Sequence, residues 1–384
     1  MTNNGFRTDR RRWLQTGAAL AALGCTACAS VGQGGAFSSG TGTGTGTGLA
    51  EDLGERLDRG VQSGELANLH AVVVMRHGRL ALERYFEGED ERWGEPLGKV
   101  AFNADSLHDV RSVSKSIVGL LYGMALAEGK VPALDTPLVQ AFPAYSDLAA
   151  DEGRRGILVS HALGMTMGLQ WDEEIPYSDP RNSEIAMERS SDRYRYVLEQ
   201  PIVAPPGERW CYSGGATALL GHLIAQGSGM PLLDYARHKL FAPLGIDKAE
   251  WTPGTNGEAA AASGLRLRAR DLARIGQLVL QQGEWPGEGQ GGRQGRALVP
   301  RNWIVQSMLP RVDAWPGLRY GHHWYVGQTR AGLAYYMAIG LGGQRLVVVP
   351  QHSLVYAVFM GNYDSPQQVQ RVAAVQGLIA AALR

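Results

Sequence analysis

The sequence predicts an α/β fold of the α+β type: one antiparallel sheet with flanking helices, into which a mostly helical lobe is inserted. Short runs rich in β-branched and aromatic residues lie near both ends of the chain, and the segment between them has helical periodicity. At 384 residues, 44% of them hydrophobic, the chain can bury a sizeable core. We predict one domain, 49–384, with a sheet lobe from 49–131 and 301–384 and a helical lobe at 132–300.

The sheet is predicted from its strand-like runs. Residues 71–75 and 80–85 flank a turn that contains Gly78, which predicts a hairpin. After the helical lobe, short spacings between further runs indicate antiparallel strands. A terminal helix follows from about Pro366. These later runs are residues 320–326, 334–339, 345–349 and 354–360.

A buried helix is predicted to begin near Ser112. Residues 117–126 are apolar nearly all round, which is typical of a helix without a solvent face, and Gly129 closes it. Helical periodicity recurs at 216–226 and 271–281. Because two lobes meet, a cleft between them is the expected site.

Residues 1–29 are predicted to be an export signal. Arg10 to Arg12, then Trp13-Leu14, precede a short apolar run, and this pattern resembles a twin-arginine signal. Two processing routes stay open: Ala27-Cys28-Ala29 fits simple cleavage, whereas Leu23-Gly24-Cys25 resembles a lipoprotein box in which Cys25 is acylated.

The segment 30–48 is rich in Gly, Ser and Thr and predicts a flexible linker. We therefore expect an exported protein, periplasmic or anchored to the membrane on its periplasmic side. Any membrane contact is expected through the N-terminal lipid alone.

The composition of the chain limits the kinds of partner and cofactor that we expect. Lys plus Arg (37) equals Asp plus Glu (37), so nucleic acid is not expected and a small-molecule substrate is. Cys211 is the only cysteine beyond the predicted signal, which excludes an internal disulfide and a Cys-rich zinc site. No metal and no cofactor are expected. The sequence has no G-x-S-x-G elbow, Walker loop or H-E-x-x-H motif.

Three motifs carry chemistry. Ser112-Val113-Ser114-Lys115 opens the buried helix, and i and i+3 share a face, so the ammonium can reach the hydroxyl. A lysine in an apolar helix is costly unless deprotonated or paired. Tyr212 is a useful base only beside a cation such as that lysine. The glycines of 338–344 indicate close approach of backbone to a ligand, and their N–H groups would form an oxyanion hole.

Alone, the three motifs also fit a serine that caps a helix, a tyrosine packed in the core and a plain hairpin turn, respectively. Together and in this order they resemble the β-lactamase and penicillin-binding-protein type of serine hydrolase, a β-lactamase/transpeptidase-like fold related to class C enzymes. The resemblance is strongest to nylon-oligomer (aminohexanoate-dimer) hydrolase-like and esterase-like members. It implies Ser112 as nucleophile, Lys115 as proton acceptor and Tyr212 as general acid/base. The implied oxyanion hole is the backbone N–H of Ser112 and of Leu341.

The resemblance also implies a substrate site. In this family the loop that carries Trp171 and Tyr177 borders the cleft, although a plain surface loop is the alternative for these two residues. The other expected contacts lie in the second and third motifs: Gly214, Gly340 and Gly342. The expected activity is hydrolysis of an amide or ester through an acyl-enzyme. A β-lactamase or D-alanyl-D-alanine peptidase, or a non-catalytic cell-envelope binding module, are the alternatives.

Two positions depart from the family pattern. Gly214 stands where an Asn is frequent, and Ala338 stands where a Lys or His often opens the third motif. Because that cation meets a substrate carboxylate, its loss predicts poor activity on β-lactams and D-alanyl peptides. Arg345, His322 or His323 would have to replace it.

Overall fold

The computed structural model describes residues 48–286, 296–363 and 365–383. The predicted export signal (1–29) and nearly all of the predicted linker (30–48) lie outside the described residues. Among the described helices, none combines the length and the apolar character needed to cross a bilayer.

An eight-stranded antiparallel sheet forms the centre of the fold. Its strands are β1 (Leu69–Arg76), β2 (Arg79–Tyr85), β10 (Val312–Trp315), β11 (Leu318–Tyr320), β12 (Tyr325–Gln328), β13 (Ala334–Gly340), β14 (Gln344–Val349) and β15 (Leu354–Met360). They are ordered β10-β11-β12-β13-β14-β15-β1-β2. The first and last parts of the chain therefore pair in one sheet, as predicted.

The predicted hairpin is confirmed. Gly78 has φ +74° in its turn, and every residue of β1 is buried. The single strand predicted over 320–326 is wrong, because the chain turns between β11 and β12. The need for glycine in this turn is steric, since a Cβ on Gly321 would lie 2.0 Å from the Ser307 carbonyl oxygen. The Gly321 N–H donates to the Trp324 carbonyl and closes the turn between the two strands.

Smaller sheets, which periodicity did not predict, surround the large one. Their strands are β3 (Glu87–Arg92), β4 (Glu95–Ala101), β5 (His108–Asp109), β6 (Glu250–Trp251), β7 (Leu265–Leu267), β8 (Glu284–Trp285) and β9 (Arg296–Ala297). Two of these sheets bring together residues used below, since β3 pairs with β4, and β5 pairs with β7 beside β6.

Helices cover the sheet and build the middle of the chain. The α-helices are α1 (Leu53–Gln62), α2 (Val113–Ala127), α3 (Ser146–Ala149), α4 (Glu152–Arg155), α5 (Val159–Leu163), α6 (Ser183–Arg189), α7 (Arg193–Leu198), α8 (Gly214–Ser228), α9 (Leu232–Ala236), α10 (Ala269–Leu280), α11 (Arg301–Ser307) and α12 (Gln368–Ala381). Short 3-10 turns and one π turn lie between them, at Leu138–Ala141, Pro143–Tyr145, Arg237–Phe241, Ala242–Leu244, Leu341–Gly343 and Pro350–His352.

The helix predicted to begin near Ser112 is α2, and it is buried from Val113 to Ala125. It packs against α8 on one side and β13 on another, which explains why its apolar residues surround the axis. Gly129 has φ +68° just beyond its end. Its N-terminus therefore lies where the helical lobe meets the sheet.

Helix α10 departs from the simple division into lobes. Its residues lie within the stretch assigned to the helical lobe, yet it packs against β15, β14 and β1. The contact is close because a Cβ on Gly276 would lie 2.5 Å from Val355 and 2.7 Å from Leu346. One face of the sheet is thus covered by a helix from the middle of the chain.

Candidate active site

A cleft of about 540 Å³ opens where α2, β13 and the loop before α6 meet. Of the residues predicted to form the site, Ser112, Tyr177, Tyr212, Gly340 and Leu341 line it. Its other described lining residues are Glu174, Ile175, Pro176, Ser178, Trp315, Tyr325, Ile339, Tyr363, Ser365, Pro366, Gln368 and Val369.

Ser112 occupies the N-cap position of α2 and is half-buried at the base of the cleft. The preceding residue, Arg111, has φ +50°, a backbone conformation that non-glycine residues rarely adopt. Its guanidinium is held in an ion pair with Glu91. The helix N-terminus favours negative charge on the serine oxygen.

Lys115 lies one turn along the same face, as the i and i+3 spacing predicts. Its Nζ donates to Ser112 Oγ at 3.1 Å and to the Ala262 carbonyl at 3.2 Å. The lysine is buried. The buried lysine is thus paired with the hydroxyl it was expected to reach.

A second partner of Lys115 is Glu184 in α6, whose Oε2 is 3.7 Å from Nζ. Burial by itself would lower the pKa of Lys115, but Glu184, and after it Tyr212 and Glu173, raise that pKa above its ordinary value. Lys115 is therefore an ammonium in the free protein, and it needs an outlet for a proton before it accepts another.

Tyr212 lies in the loop before α8 and faces the same serine. The Lys115 Nζ lies 4.8 Å from the centre of its ring. Burial raises the pKa of Tyr212; Lys115 and the hydroxyl of Ser112 lower it, but not enough to offset burial. In the free protein the pKa of Tyr212 therefore lies above its ordinary value, which favours the neutral phenol, and its function as a general acid/base stays a prediction.

Gly340 ends β13 against the segment that leads into Ser112. A Cβ at this position would lie 2.5 Å from the Val110 carbonyl oxygen and 3.1 Å from the Arg111 Cβ. Only glycine allows this approach, which brings Leu341 to the cleft beside Ser112. The two backbone segments implied for an oxyanion hole are thus adjacent.

Gly214 does not line the cleft. It is buried at the start of α8, and a Cβ on it would lie 2.6 Å from the Glu184 Oε2. The absence of a side chain here makes room for the carboxylate that pairs with Lys115. Glu184 also accepts from the Ser263 hydroxyl at 2.8 Å through Oε1, whereas Oε2 is buried without a hydrogen bond among the described residues.

Glu173 is a second buried carboxylate, 2% exposed, beside the same lysine. It accepts from the Trp171 indole at 2.6 Å, from the Tyr177 hydroxyl at 2.9 Å and from the Gly214 N–H. Burial, and after it the nearby Glu184 carboxylate, raises the pKa of Glu173 to about 7. The loop that begins at Trp171 is therefore anchored through Glu173 and is not a plain surface loop.

Three predicted substrate contacts lie elsewhere. Trp171 packs inside, where a Cβ on Gly215 would lie 2.7 Å from its ring. Gly342, with φ +87°, lies against Tyr363 behind the cleft wall. With Gly214, these residues shape the site without lining it. Glu184 was not singled out from the sequence, since an acidic residue early in a helix is common.

None of the described cleft residues carries a positive charge. Arg345 lies opposite Ile339 in the β13–β14 pair but is buried, and it donates to the Gln344 carbonyl at 2.8 Å. His323 is bound to Thr217 and to the Leu163 carbonyl.

The third position proposed as a replacement, His322, is also away from the cleft. It is 2% exposed and its ring lies near that of Trp303. Of the two residues that open the third motif, Ile339 lines the cleft and Ala338 is buried. The cleft wall is apolar there.

Comparison with known proteins bears on this geometry. The family model described as Beta-lactamase matches residues 64–381. A 6-aminohexanoate-dimer hydrolase from Paenarthrobacter ureafaciens is 26% identical over 292 residues, covering 70% of this chain and 69% of that protein.

Solved structures share the fold at lower identity. The hydrolase EstCE1, with promiscuous acyltransferase activity, has a TM-score of 0.65 at 17% identity and covers 84% of this chain and 98% of its own. A penicillin binding protein from Bacillus halodurans has a TM-score of 0.64 at 16% identity, with 84% and 99% covered. These two likenesses concern the fold alone.

Proposed function

Because the chain belongs to the beta-lactamase family of hydrolases, we propose that it cleaves an ester or amide by transferring the acyl group first to Ser112 and then to water. The observation that carries this proposal is the 3.1 Å contact from Lys115 Nζ to Ser112 Oγ at the base of the cleft. Leu341 and Ser112 supply backbone N–H groups to the carbonyl oxygen as it becomes negative.

The proton of Ser112 needs a destination, since Lys115 is already charged. As Oγ bonds to the substrate carbonyl carbon, Lys115 accepts the Oγ proton and passes one of its own to Oε2 of Glu184. The lysine stays an ammonium, and the carboxylate becomes a carboxylic acid. The buried Oε2, which has no hydrogen bond among the described residues and lies 3.7 Å from Nζ, supports this role for Glu184.

Tyr212 completes the cycle as a neutral phenol. It donates its proton to the leaving group when the carbonyl–leaving-group bond breaks, and Lys115 returns the proton held on Glu184 to the phenolate. Water then attacks the acyl-enzyme and gives up a proton, which passes through Lys115 to Glu184. The bond between Ser112 Oγ and the acyl carbon breaks, and the hydroxyl of Ser112 regains its proton. A raised pKa of Tyr212 supports its function as an acid.

The substrate class follows from the cleft wall. β-Lactams and D-alanyl peptides carry a carboxylate near the scissile bond, and no cation lines the described part of this cleft. We therefore propose an uncharged ester or non-peptide amide as substrate.

Fluorophosphonate labelling tests the nucleophile and separates the enzyme from a non-catalytic binding module. We expect the wild-type protein to gain one phosphonyl group by intact mass and to lose hydrolysis of p-nitrophenyl butyrate in parallel. Ser112→Ala should do neither while keeping its thermal unfolding midpoint; Ser114→Ala, whose hydroxyl donates to the Arg111 carbonyl, is the control for a serine outside the cleft. Labelling that persists in Ser112→Ala would assign the reactive serine elsewhere.

We also propose that the protein is exported and held outside the cytoplasmic membrane. Arg10 and Arg11 support a twin-arginine route, and Cys25 supports a lipid anchor. Replacing both arginines by Lys should leave the precursor in the cytoplasm. Cys25→Ala should move the protein from the membrane to the soluble fraction; membrane association that survives this substitution would exclude the lipid at Cys25.

A further inference from the structure

Outside the cleft, three buried side chains from different strands converge: His70 in β1, Asp90 in β3 and His108 in β5. Their exposed fractions are 0%, 6% and 0%. The Nδ1 of His70 is 2.9 Å from the Nε2 of His108, and the Oδ1 of Asp90 is 3.9 Å and 3.5 Å from these two nitrogens. We propose that this cluster binds one divalent transition-metal ion of the zinc type.

The three distances define the position of the ion. In a triangle with sides of 2.9, 3.9 and 3.5 Å, the point equidistant from the corners lies about 2.0 Å from each, and zinc bonds to imidazole nitrogen and carboxylate oxygen at about 2.0–2.2 Å. An ion at that point, or slightly out of the plane, reaches all three atoms with no side chain moved. Two imidazoles and one carboxylate suit zinc and its neighbours better than calcium or magnesium.

The hydrogen bonds of the two rings indicate which nitrogens can coordinate the ion. The Nδ1 of His108 is 2.9 Å from the Asp109 carbonyl oxygen, so the ring proton lies there and Nε2 is free to coordinate. On the far side of His70, Nε2 has no hydrogen bond of normal geometry among the described residues. Without an ion, Nδ1 of His70 lies 2.9 Å from Nε2 of His108, which is a hydrogen-bond distance. A bound ion would take the place of the proton between these two nitrogens, and the ring proton of His70 would then lie on Nε2.

The surrounding residues hold the ligands in place. The Phe102 ring stacks on His70 with centroids 4.2 Å apart. A Cβ on Gly88 would lie 2.7 Å from the His70 Nε2, and one on Gly361 would lie 2.5 Å from its Cε1. Because backbone approaches the imidazole this closely from two sides, the ring cannot rotate away from the cluster.

The carboxylate is oriented in the same manner, since the Tyr363 hydroxyl donates to the Oδ1 of Asp90 at 2.8 Å. Tyr363 also lines the cleft, and the guanidinium of Arg111, one residue before Ser112, lies 4.8 Å from its ring centre. The ion would therefore stabilise the cleft wall from behind. It is a structural site and takes no part in the reacting bonds.

The spacing of these three residues explains why no metal was expected from the sequence. His70, Asp90 and His108 lie 20 and 18 residues apart, unlike the short spacings that identify zinc motifs. Only the folded β-strands bring them together.

The test uses the untagged full-length chain with zinc as the added ion. The protein is unfolded with a chelator, refolded with or without zinc, and measured for bound metal by mass spectrometry and for its thermal unfolding midpoint. We expect about one zinc per chain and a midpoint on the order of 5 °C higher with zinc, because an ion that binds only the folded state stabilises it. A refolded wild-type chain with no bound zinc and an unchanged midpoint would overturn the site.

Three variants locate the ion. Asp90→Asn keeps an oxygen that accepts from Tyr363, and His108→Gln keeps a polar side chain, yet both should lose the bound zinc and the zinc-dependent rise. His322→Gln removes a buried histidine outside the cluster and should keep both. Equal zinc in wild type and in the first two variants would place the ion elsewhere. Since neither readout is hydrolysis, the outcome is independent of the proposed function.

Discussion

Lys115 and Glu184 form an ion pair within the protein, with Nζ and Oε2 3.7 Å apart and side chains 2% and 5% exposed. A buried charge without its partner is strongly destabilising, so each of the two side chains depends on the other. The pair also joins the serine at the base of the cleft to a carboxylate from the helical lobe. Its consequences can be measured.

Replacing Glu184 by Gln tests the proton route. An amide cannot take the proton, so we expect kcat/KM on p-nitrophenyl butyrate to fall about 100-fold near pH 7. Loss of the carboxylate also removes the largest cause that raises the pKa of Lys115, so the remaining activity should recover as pH rises. Glu258→Gln, at a glutamate that pairs with His222 outside the cleft, should keep the wild-type profile. An unchanged profile in Glu184→Gln would remove Glu184 from the mechanism.

Gly214→Ala should act through the same carboxylate. Its methyl group would lie 2.6 Å from Oε2 of Glu184, and because that atom ends a flexible side chain, the carboxylate should shift away from Lys115. We expect a loss of about tenfold in kcat/KM, and little further loss when the change is made in Glu184→Gln, as coupled sites behave. Gly377→Ala in α12 meets open space and serves as the control. Additive losses would show that Gly214 acts independently of Glu184.

Tyr212→Phe removes the group proposed to protonate the leaving group. General acid/base groups contribute typically about 10²- to 10⁴-fold, and we expect kcat to fall by that factor while fluorophosphonate still labels Ser112. Tyr320→Phe removes the hydroxyl of a buried tyrosine that packs near the Trp210 ring and does not line the cleft, and it should leave kcat within a few-fold of wild type. A comparable loss in both variants would indicate a packing effect.

The raised pKa of Glu173 predicts that the stability of the protein depends on pH. Burial raises its pKa to about 7, above the ordinary value, so the folded protein keeps a proton that the unfolded chain releases. The resulting contribution to stability is fully present below about pH 4.5 and is lost as pH rises through about 7. Between about pH 5 and 8, the free energy of unfolding of wild type should fall relative to Glu173→Gln by on the order of 3 kcal/mol.

Urea unfolding of the two proteins at both pH values measures this difference. Glu174→Gln changes the exposed neighbouring residue and should keep the wild-type slope. If Glu173→Gln follows the same pH dependence as wild type, another group is responsible.

The features that were predicted correctly from the sequence depend on local patterns. The β1–β2 hairpin and helix α2 follow from periodicity and from Gly78 and Gly129, and the family resemblance from motif order was confirmed by the match to residues 64–381. Ser112 and Lys115 meet because i and i+3 share a helical face, a relation that needs no tertiary information.

What the sequence could not predict depends on contacts between distant segments. The turn that interrupts 320–326 arises where Gly321 meets the Ser307 carbonyl. Glu184 reaches Lys115 from another lobe. Trp171 looked like a residue for substrate because it lies in a loop, but a large apolar ring is stabilised by burial, and its indole binds Glu173 inside the protein.

The last prediction concerns charge in the substrate. Two p-nitrophenyl esters of similar length, the butyrate and the monosuccinate, differ mainly in a terminal carboxylate. Since no described cleft residue is cationic and Glu174 lines the cleft, we expect kcat/KM for the butyrate to exceed that for the monosuccinate by about 10- to 100-fold, the range that one charge-assisted hydrogen bond provides. Nitrocefin, which also carries a carboxylate, should fall below the butyrate. Arg345 lies opposite Ile339 in the β13–β14 pair, but it is buried and donates to the Gln344 carbonyl. Equal or faster turnover of the monosuccinate and of nitrocefin would mean that a cation does reach the substrate, and it would overturn the assignment to uncharged substrates while leaving the chemistry of Ser112 in place.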